Sequence, residues 1–268
     1  MVSAAMKKTI RVVDTDVFIE GSGDQTIVMI PGWPDTHESW QQQVEFFRED
    51  YTCVSFSLPG FAKGDHSNHS LNDIVQRIKE IIDAVSPTDK VILLTHDWGC
   101  VFGNEYAMRH SERIDKMIGM DVGDIDSEPL QKSLNLVQKL MIFIYQIILA
   151  LGFIGGEKIG TGVGKFVATV LGAKSNKENI HRGMSMPYAM RWLGVNGGLE
   201  NLLPMEPSFP FYYAYATQKP MMFHSQEWTQ QLLQQPGNKV QSFDCGHWIM
   251  IEQADAFNAS LEQWLNDQ

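Results

Sequence analysis

Val91-Ile92-Leu93-Leu94-Thr95-His96-Asp97-Trp98-Gly99-Cys100 runs from a short apolar segment straight into a helical pattern, with one acidic residue at the junction. An apolar run with no polar alternation fits a strand buried on both faces. A strand that turns directly into a helix needs a tight backbone and a small residue two positions on, here Gly99. Such a turn lifts its central side chain to the carboxyl edge of the sheet, where open α/β folds place their ligands. Asp97 is therefore predicted to face a pocket, ionised at neutral pH because its reference pKa of ~3.9 is favoured further by the positive end of the following helix. Taken alone, an Asp at this place could equally cap the helix.

Working outward, the same strand and helix alternation recurs. Residues 26–30 read as a strand and 38–48 as a helix; 52–58 read as a strand and 71–85 as a helix with Ile74, Val75, Ile78, Ile81, Ile82 and Val85 on one face. A helix at 99–110 and a strand at 114–120 follow the opening segment. After Asp121 the alternation stops for about 85 residues of helical and Gly-rich sequence, an inserted lid. It resumes with strands at 211–216 and 240–243 and helices at 225–235 and 255–265. The expected fold class is α/β, a mostly parallel central sheet flanked by helices with an inserted helical cap. The expected division is a core of residues 1–124 and 206–268 with a cap of residues 125–205.

Composition fits a globular chain of 268 residues, with 44% hydrophobic and 20% charged side chains. With 21 Lys and Arg against 32 Asp and Glu, the net charge of −11 argues against nucleic acid as a partner. Cys53, Cys100 and Cys245 have neither disulfide-framework nor zinc spacing, which suits a reducing cytoplasm. The first residues carry Lys7, Lys8 and Arg11 without an apolar stretch after them, so no secretory signal is expected. Residues 140–154 are apolar but shorter than the ~20 a span needs and are interrupted by Gln146 and Gly152. They predict a buried helix rather than an integral membrane span, with peripheral membrane contact as the alternative. Ile142, Phe143, Ile147 and Leu151 are its candidates for facing inward. His66 and His69 lie in a polar loop without further ligands nearby in sequence, so no metal site is expected. The methionines read as gap fillers rather than cofactor ligands.

His247, in Asp244-Cys245-Gly246-His247-Trp248, follows a late strand that ends at the same sheet edge. Asp97 and His247 thus make a nucleophile and base in the expected chain order. With these residues the chain resembles the α/β-hydrolase superfamily, and His96-Asp97-Trp98-Gly99 resembles its epoxide hydrolases and haloalkane dehalogenases. Pro31-Gly32-Trp33-Pro34 resembles the family's oxyanion loop, which assigns the Trp33 N–H to that role; Pro31 stands where histidine is usual. No Gly-X-Ser-X-Gly follows a strand, so a serine hydrolase is not indicated.

The resemblance implies a third triad member. The stretch after the strand at 211–216, Tyr215-Ala216-Thr217-Gln218-Lys219, has no acid, whereas Met120-Asp121-Val122-Gly123-Asp124 offers two. Asp121 is preferred, with Asp124 in reserve. Opening an epoxide needs a donor for the departing oxygen. Tyr145, followed by Gln146, and Tyr188, just before Arg191-Trp192, resemble the paired cap tyrosines of epoxide hydrolases. The implied activity is hydrolysis of a small apolar epoxide, with water as co-substrate, no cofactor, and Trp33 and Trp98 binding the oxyanion. A haloalkane substrate and a non-catalytic ligand receptor stay as alternatives, and the oligomeric state is open.

Overall fold

The computed structural model describes residues 7–65, 67–199 and 202–267; His66 falls outside them. One sheet organises the chain, with strands β1 (Lys7–Val12), β2 (Thr15–Glu20), β3 (Thr26–Ile30), β4 (Thr52–Phe56), β5 (Val91–His96), β6 (Ile114–Met120), β7 (Phe211–Ala216) and β8 (Lys239–Phe243). Its spatial order is β1-β2-β4-β3-β5-β6-β7-β8. Pairings from β4 to β8 are parallel, while β1 and β2 are antiparallel additions. The hairpin of β1 and β2 escapes a periodicity reading because its strands, KKTIRV and TDVFIE, are rich in charge and the edge strand β1 is largely solvent-facing.

The helices are α1 (Gln41–Phe47), α2 (Leu71–Val85), α3 (Trp98–Arg109), α4 (Glu128–Ser133), α5 (Leu136–Ile154), α6 (Glu157–Val170), α7 (Met186–Leu193), α8 (Gln226–Leu232), α9 (Ile249–Glu252) and α10 (Ala254–Asn266). Alternate residues of β3 feed opposite faces. Ile27 and Met29 join Phe47 of α1 and Phe257 and Trp264 of α10. Val28 and Ile30 join Ile74 and Ile78 of α2, Phe102 of α3 and Trp228 of α8. The α2 boundary at Ser70 is set by a reciprocal capping box with Asp73. Between β6 and β7 the described residues contribute helices and no strand.

The chain goes from β3 outward to β4 and returns to β5 on the other side of β3. Connections leaving β3 and β5 therefore diverge, which opens a crevice at the strands' carboxyl ends. Pairings Ile30↔Thr95, His96↔Met120, Met120↔Ala214 and Ala216↔Phe243 bring those ends level.

The segment expected to be a buried helix departs from that expectation. α5 begins four residues earlier, at Leu136, and is long and apolar enough by length and composition to cross a membrane, yet only 28% of its apolar window is buried. Gln146, Leu149, Ala150, Gly152 and Phe153 face the protein. Phe143 and Leu151, expected inside, are exposed, because the helix touches the body along one narrow side. Apolar composition alone cannot say which side is covered.

Candidate active site

Asp97 is the single residue between β5 and α3, with φ 53° and ψ −122°. A non-glycine residue in this region is strained by about 1–3 kcal/mol, held only because its surroundings over-determine it. Two glycines make the turn possible. A Cβ on Gly99 would sit 2.2 Å from the Ile30 carbonyl oxygen, and one on Gly32 would sit 2.5 Å from Asp97 Cβ. The loops after β3 and β5 can therefore touch. Through that contact the Trp33 N–H donates to Asp97 Oδ1 at 2.7 Å, and the Trp98 N–H donates to the same carboxylate.

His247 Nε2 lies 3.3 Å from Asp97 Oδ2, and its Nδ1 lies 2.5 Å from Asp121 Oδ2. The imidazole thus spans two carboxylates that leave adjacent strands. Asp121 follows β6 at φ 68°, fully buried. Its Oδ1 accepts from the Ala216 N–H at 2.8 Å and from the Lys219 ammonium. Asp124 is turned elsewhere: it accepts from the Ser225 N–H and hydroxyl, both at 2.7 Å, and from the Ser127 hydroxyl at 2.5 Å.

These contacts fix the charges. Burial works against the Asp97 anion, but His247, His96 and the Trp98 N–H outweigh it and leave the carboxyl below its usual range. Burial likewise opposes ionisation of Asp121, and Lys219 and His247 overcome it, holding that carboxyl far below the usual range. Burial alone would depress His247; the hydrogen bonds and charges of Asp121 and Asp97 instead push it up to about 9. The two carboxylates therefore favour the protonated imidazole in the resting site.

From the cap side, Tyr145 and Tyr188 line a cavity of about 80 Å³ together with Asp97, Trp98, Val122, Leu130 and Ile142. The Tyr188 ring meets Trp98 edge-on at 5.3 Å, Trp33 at 5.7 Å and Tyr145 at 6.2 Å. Gln146 donates to the Tyr145 hydroxyl at 3.0 Å and accepts from the Trp192 indole at 2.8 Å, which ties that phenol's position to α7. Burial raises both phenols above their usual value, with the Asp97 charge adding to it, so both remain protonated donors. A larger groove of about 530 Å³ runs along α3 and α8, but neither Asp97 nor His247 lines it, so the chemistry belongs to the smaller cavity.

The seven residues singled out from the sequence therefore converge. Three further groups escaped that reading. Lys219 lies just past β7 in a stretch without an acid, and nothing in the sequence marks a lysine as buried. Asp35, next but one to Trp33, accepts from the Trp248 indole at 2.9 Å and from Ser175; burial, against those donors, pushes its carboxyl up to about 6. His96 is wholly buried, lies 3.0 Å from the His247 carbonyl oxygen through Nε2 and is driven down to about 4 by burial and the nearby His247 charge. Together they form a floor under the histidine loop. His69 bonds Ser67 and lies 4.0 Å from Asp65, and no cluster of three metal-ligating side chains occurs among the described residues.

Comparison with known proteins follows the same line. A family model described as the alpha/beta hydrolase fold matches residues 25–144. Epoxide hydrolase 1 of Caenorhabditis elegans is 30% identical over 103 residues, which make up 37% of this chain and 25% of that protein. The chain thus spans about a quarter of this curated relative's length. The crystal structure of an epoxide hydrolase from Bacillus megaterium with an inhibitor superposes with a TM-score of 0.68 at 17% identity, covering 97% of this chain and 100% of that one. A haloalkane dehalogenase loop variant from Bradyrhizobium elkanii gives 0.68 at 11% identity, covering 98% and 97%. At those identities the two superpositions speak to the fold.

Proposed function

We propose that this chain, which matches the α/β-hydrolase fold family over residues 25–144 and is similar to its epoxide hydrolase-like group, hydrolyses a small apolar epoxide to a vicinal diol. In this reading residues 125–205 cap a core of residues 1–124 and 206–268. The observation that carries it is the pairing of a half-buried aspartate, bridged to histidine, with two protonated tyrosines across one cavity.

Asp97 Oδ1 is held by backbone N–H groups, which leaves Oδ2 to attack a ring carbon. The carbon–oxygen bond of the oxirane breaks as the ester bond to Oδ2 forms. Tyr145 or Tyr188 gives its proton to the departing oxygen. Formation of the ester removes the charge on Asp97 that helped hold the proton on His247. The imidazolium can then return a proton to the tyrosinate and become a neutral base. Oriented by Asp121, it takes a proton from water, whose oxygen attacks the Asp97 carbonyl carbon. The oxyanion on Oδ1 rests on the Trp33 and Trp98 N–H groups. Collapse breaks the ester carbon–oxygen bond, the departing alkoxide takes the proton of the newly added hydroxyl to complete the diol, and the Asp97 carboxylate and the His247 cation are restored. Burial of the cavity among Val122, Leu130 and Ile142 selects an apolar substrate.

Single turnover of an epoxide panel in isotopically labelled water, with enzyme in excess, tests this. The first diol should carry unlabelled oxygen from Asp97; label appearing in it at once would mean that water attacks carbon directly. Dehalogenation is the second reading, favoured by the Trp33 indole N–H, which is buried without a hydrogen-bond partner and could serve a halide. Halide release that persists in Tyr145→Phe with Tyr188→Phe would establish it.

A further inference from the structure

We propose that the outer face of the α5–α6 hairpin docks on an anionic lipid bilayer. On α5, Val137, Met141, Ile144, Ile148 and Leu151 fall at intervals of three and four and are all exposed, and Leu136 at its start is 81% exposed. Facing solvent on α6 at similar spacing are Ile159, Phe166 and Val170, each at least 60% exposed. The two helices are pressed together: a Cβ on Gly160 would lie 2.6 Å from the Gly152 carbonyl oxygen. Trp192 of α7 extends the surface by packing edge-on against Phe143 at 5.1 Å. Monomeric proteins rarely leave so continuous an apolar area in water.

Charge selects the occupant. Residues 125–205 hold eight Lys and Arg against five Asp and Glu, a net +3, which leaves −14 on the remainder of a chain whose total is −11. The hairpin itself carries Lys139, Lys158 and Lys165 against Glu157. An apolar face flanked on α6 by Lys158 and Lys165, with a tryptophan at its edge, is the pattern of a helix lying in the headgroup plane. A second copy of the chain would instead bring two positive faces together. Spanning the bilayer would demand withdrawal of Leu149, Ala150 and Phe153 from the body and loss of the Gln146 bonds to Tyr145 and Trp192. The surface stands independently of the reaction assigned to the cavity, because it lies on the opposite side of α5.

Flotation of the purified chain with phosphatidylcholine vesicles, with and without phosphatidylglycerol, is the test. The protein should float with the phosphatidylglycerol vesicles, and less so as salt is raised. The double variant Phe166→Glu, Val170→Glu, and separately Leu140→Glu at a 53% exposed position beside Val137 and Ile144 on the same stripe, should weaken binding by about tenfold or more while circular dichroism and epoxide turnover hold. In the unmutated chain, acyl-brominated lipids should quench a fluorescence component that Trp192→Phe removes, a readout that does not depend on how the charged variants fold. No flotation with either vesicle would overturn the proposal. So would a dimer in sedimentation equilibrium that Phe166→Glu, Val170→Glu dissociates without any vesicle binding by the parent chain, since the covering surface would then be a second copy.

Discussion

Two carboxylates, Asp97 and Asp121, face two cations, His247 and Lys219, so the buried site is near neutral at rest. Alkylating Asp97 upsets that balance in favour of a neutral imidazole, which times the base to the second step of the proposed reaction. Replacing Asp97→Asn mimics the loss of charge. The His247 imidazole, which its two carboxylates push up to about 9 in the parent chain, should then titrate clearly lower by NMR. Because folding raises the His247 pKa, its contribution to stability is full below the unfolded value of 6.5 and is lost as pH climbs through about 9. The parent chain should therefore lose melting temperature over that window more steeply than His247→Gln. That same variant should stall after the first step and accumulate an ester visible as added mass on the Asp97 peptide, with turnover reduced about 10²–10⁴-fold. Lys219→Met leaves Asp121 short of a cation in a fully buried setting; urea unfolding should show a loss of about 3–5 kcal/mol. Of these residues, Asp97 and His247 were legible because a turn and a strand end bracket them. Lys219 was not: its partner is 98 residues away in the chain and no local pattern announces the pairing.

The strand and helix series from residue 26 to 120 was readable because both-face burial leaves unbroken apolar runs and one-face burial leaves a helical stripe. α2 spans residues 71–85 as the spacing implies, with five of its apolar residues fully packed. β1 carries little apolar signal because it is a charged edge strand, and β2, between β1 and β4, mixes Asp16 and Glu20 with its apolar residues; α5 was misjudged because its apolar residues serve two opposite sides. The turn from β5 into α3 is the element whose sequence requirement is tightest. Gly99→Ala forces a methyl group against the Ile30 carbonyl, which has no flexible neighbour to yield. Chemical denaturation should register a cost of about 3 kcal/mol, and kcat should fall more than KM changes as the Trp98 N–H moves off the Asp97 carboxylate.

At the scale of the whole molecule, the strand order opens the crevice and the segment between β6 and β7 roofs it with helices that have an inner and an outer side. The inner side of α5 presents Tyr145 to the cavity, and its outer side is the apolar face proposed for lipid. With a net +3 over residues 125–205 against −14 over the remainder, the lipid-docking proposal predicts a permanent electric moment directed out through α5 and α6. In an external field the molecule behaves as a rotor with a preferred heading. Dielectric relaxation at low ionic strength should reveal that moment, and reversing Lys139, Lys158 and Lys165 to glutamate should shrink it. Near a negatively charged plane the torque acts before any apolar contact forms, so the molecule arrives already turned, roof first.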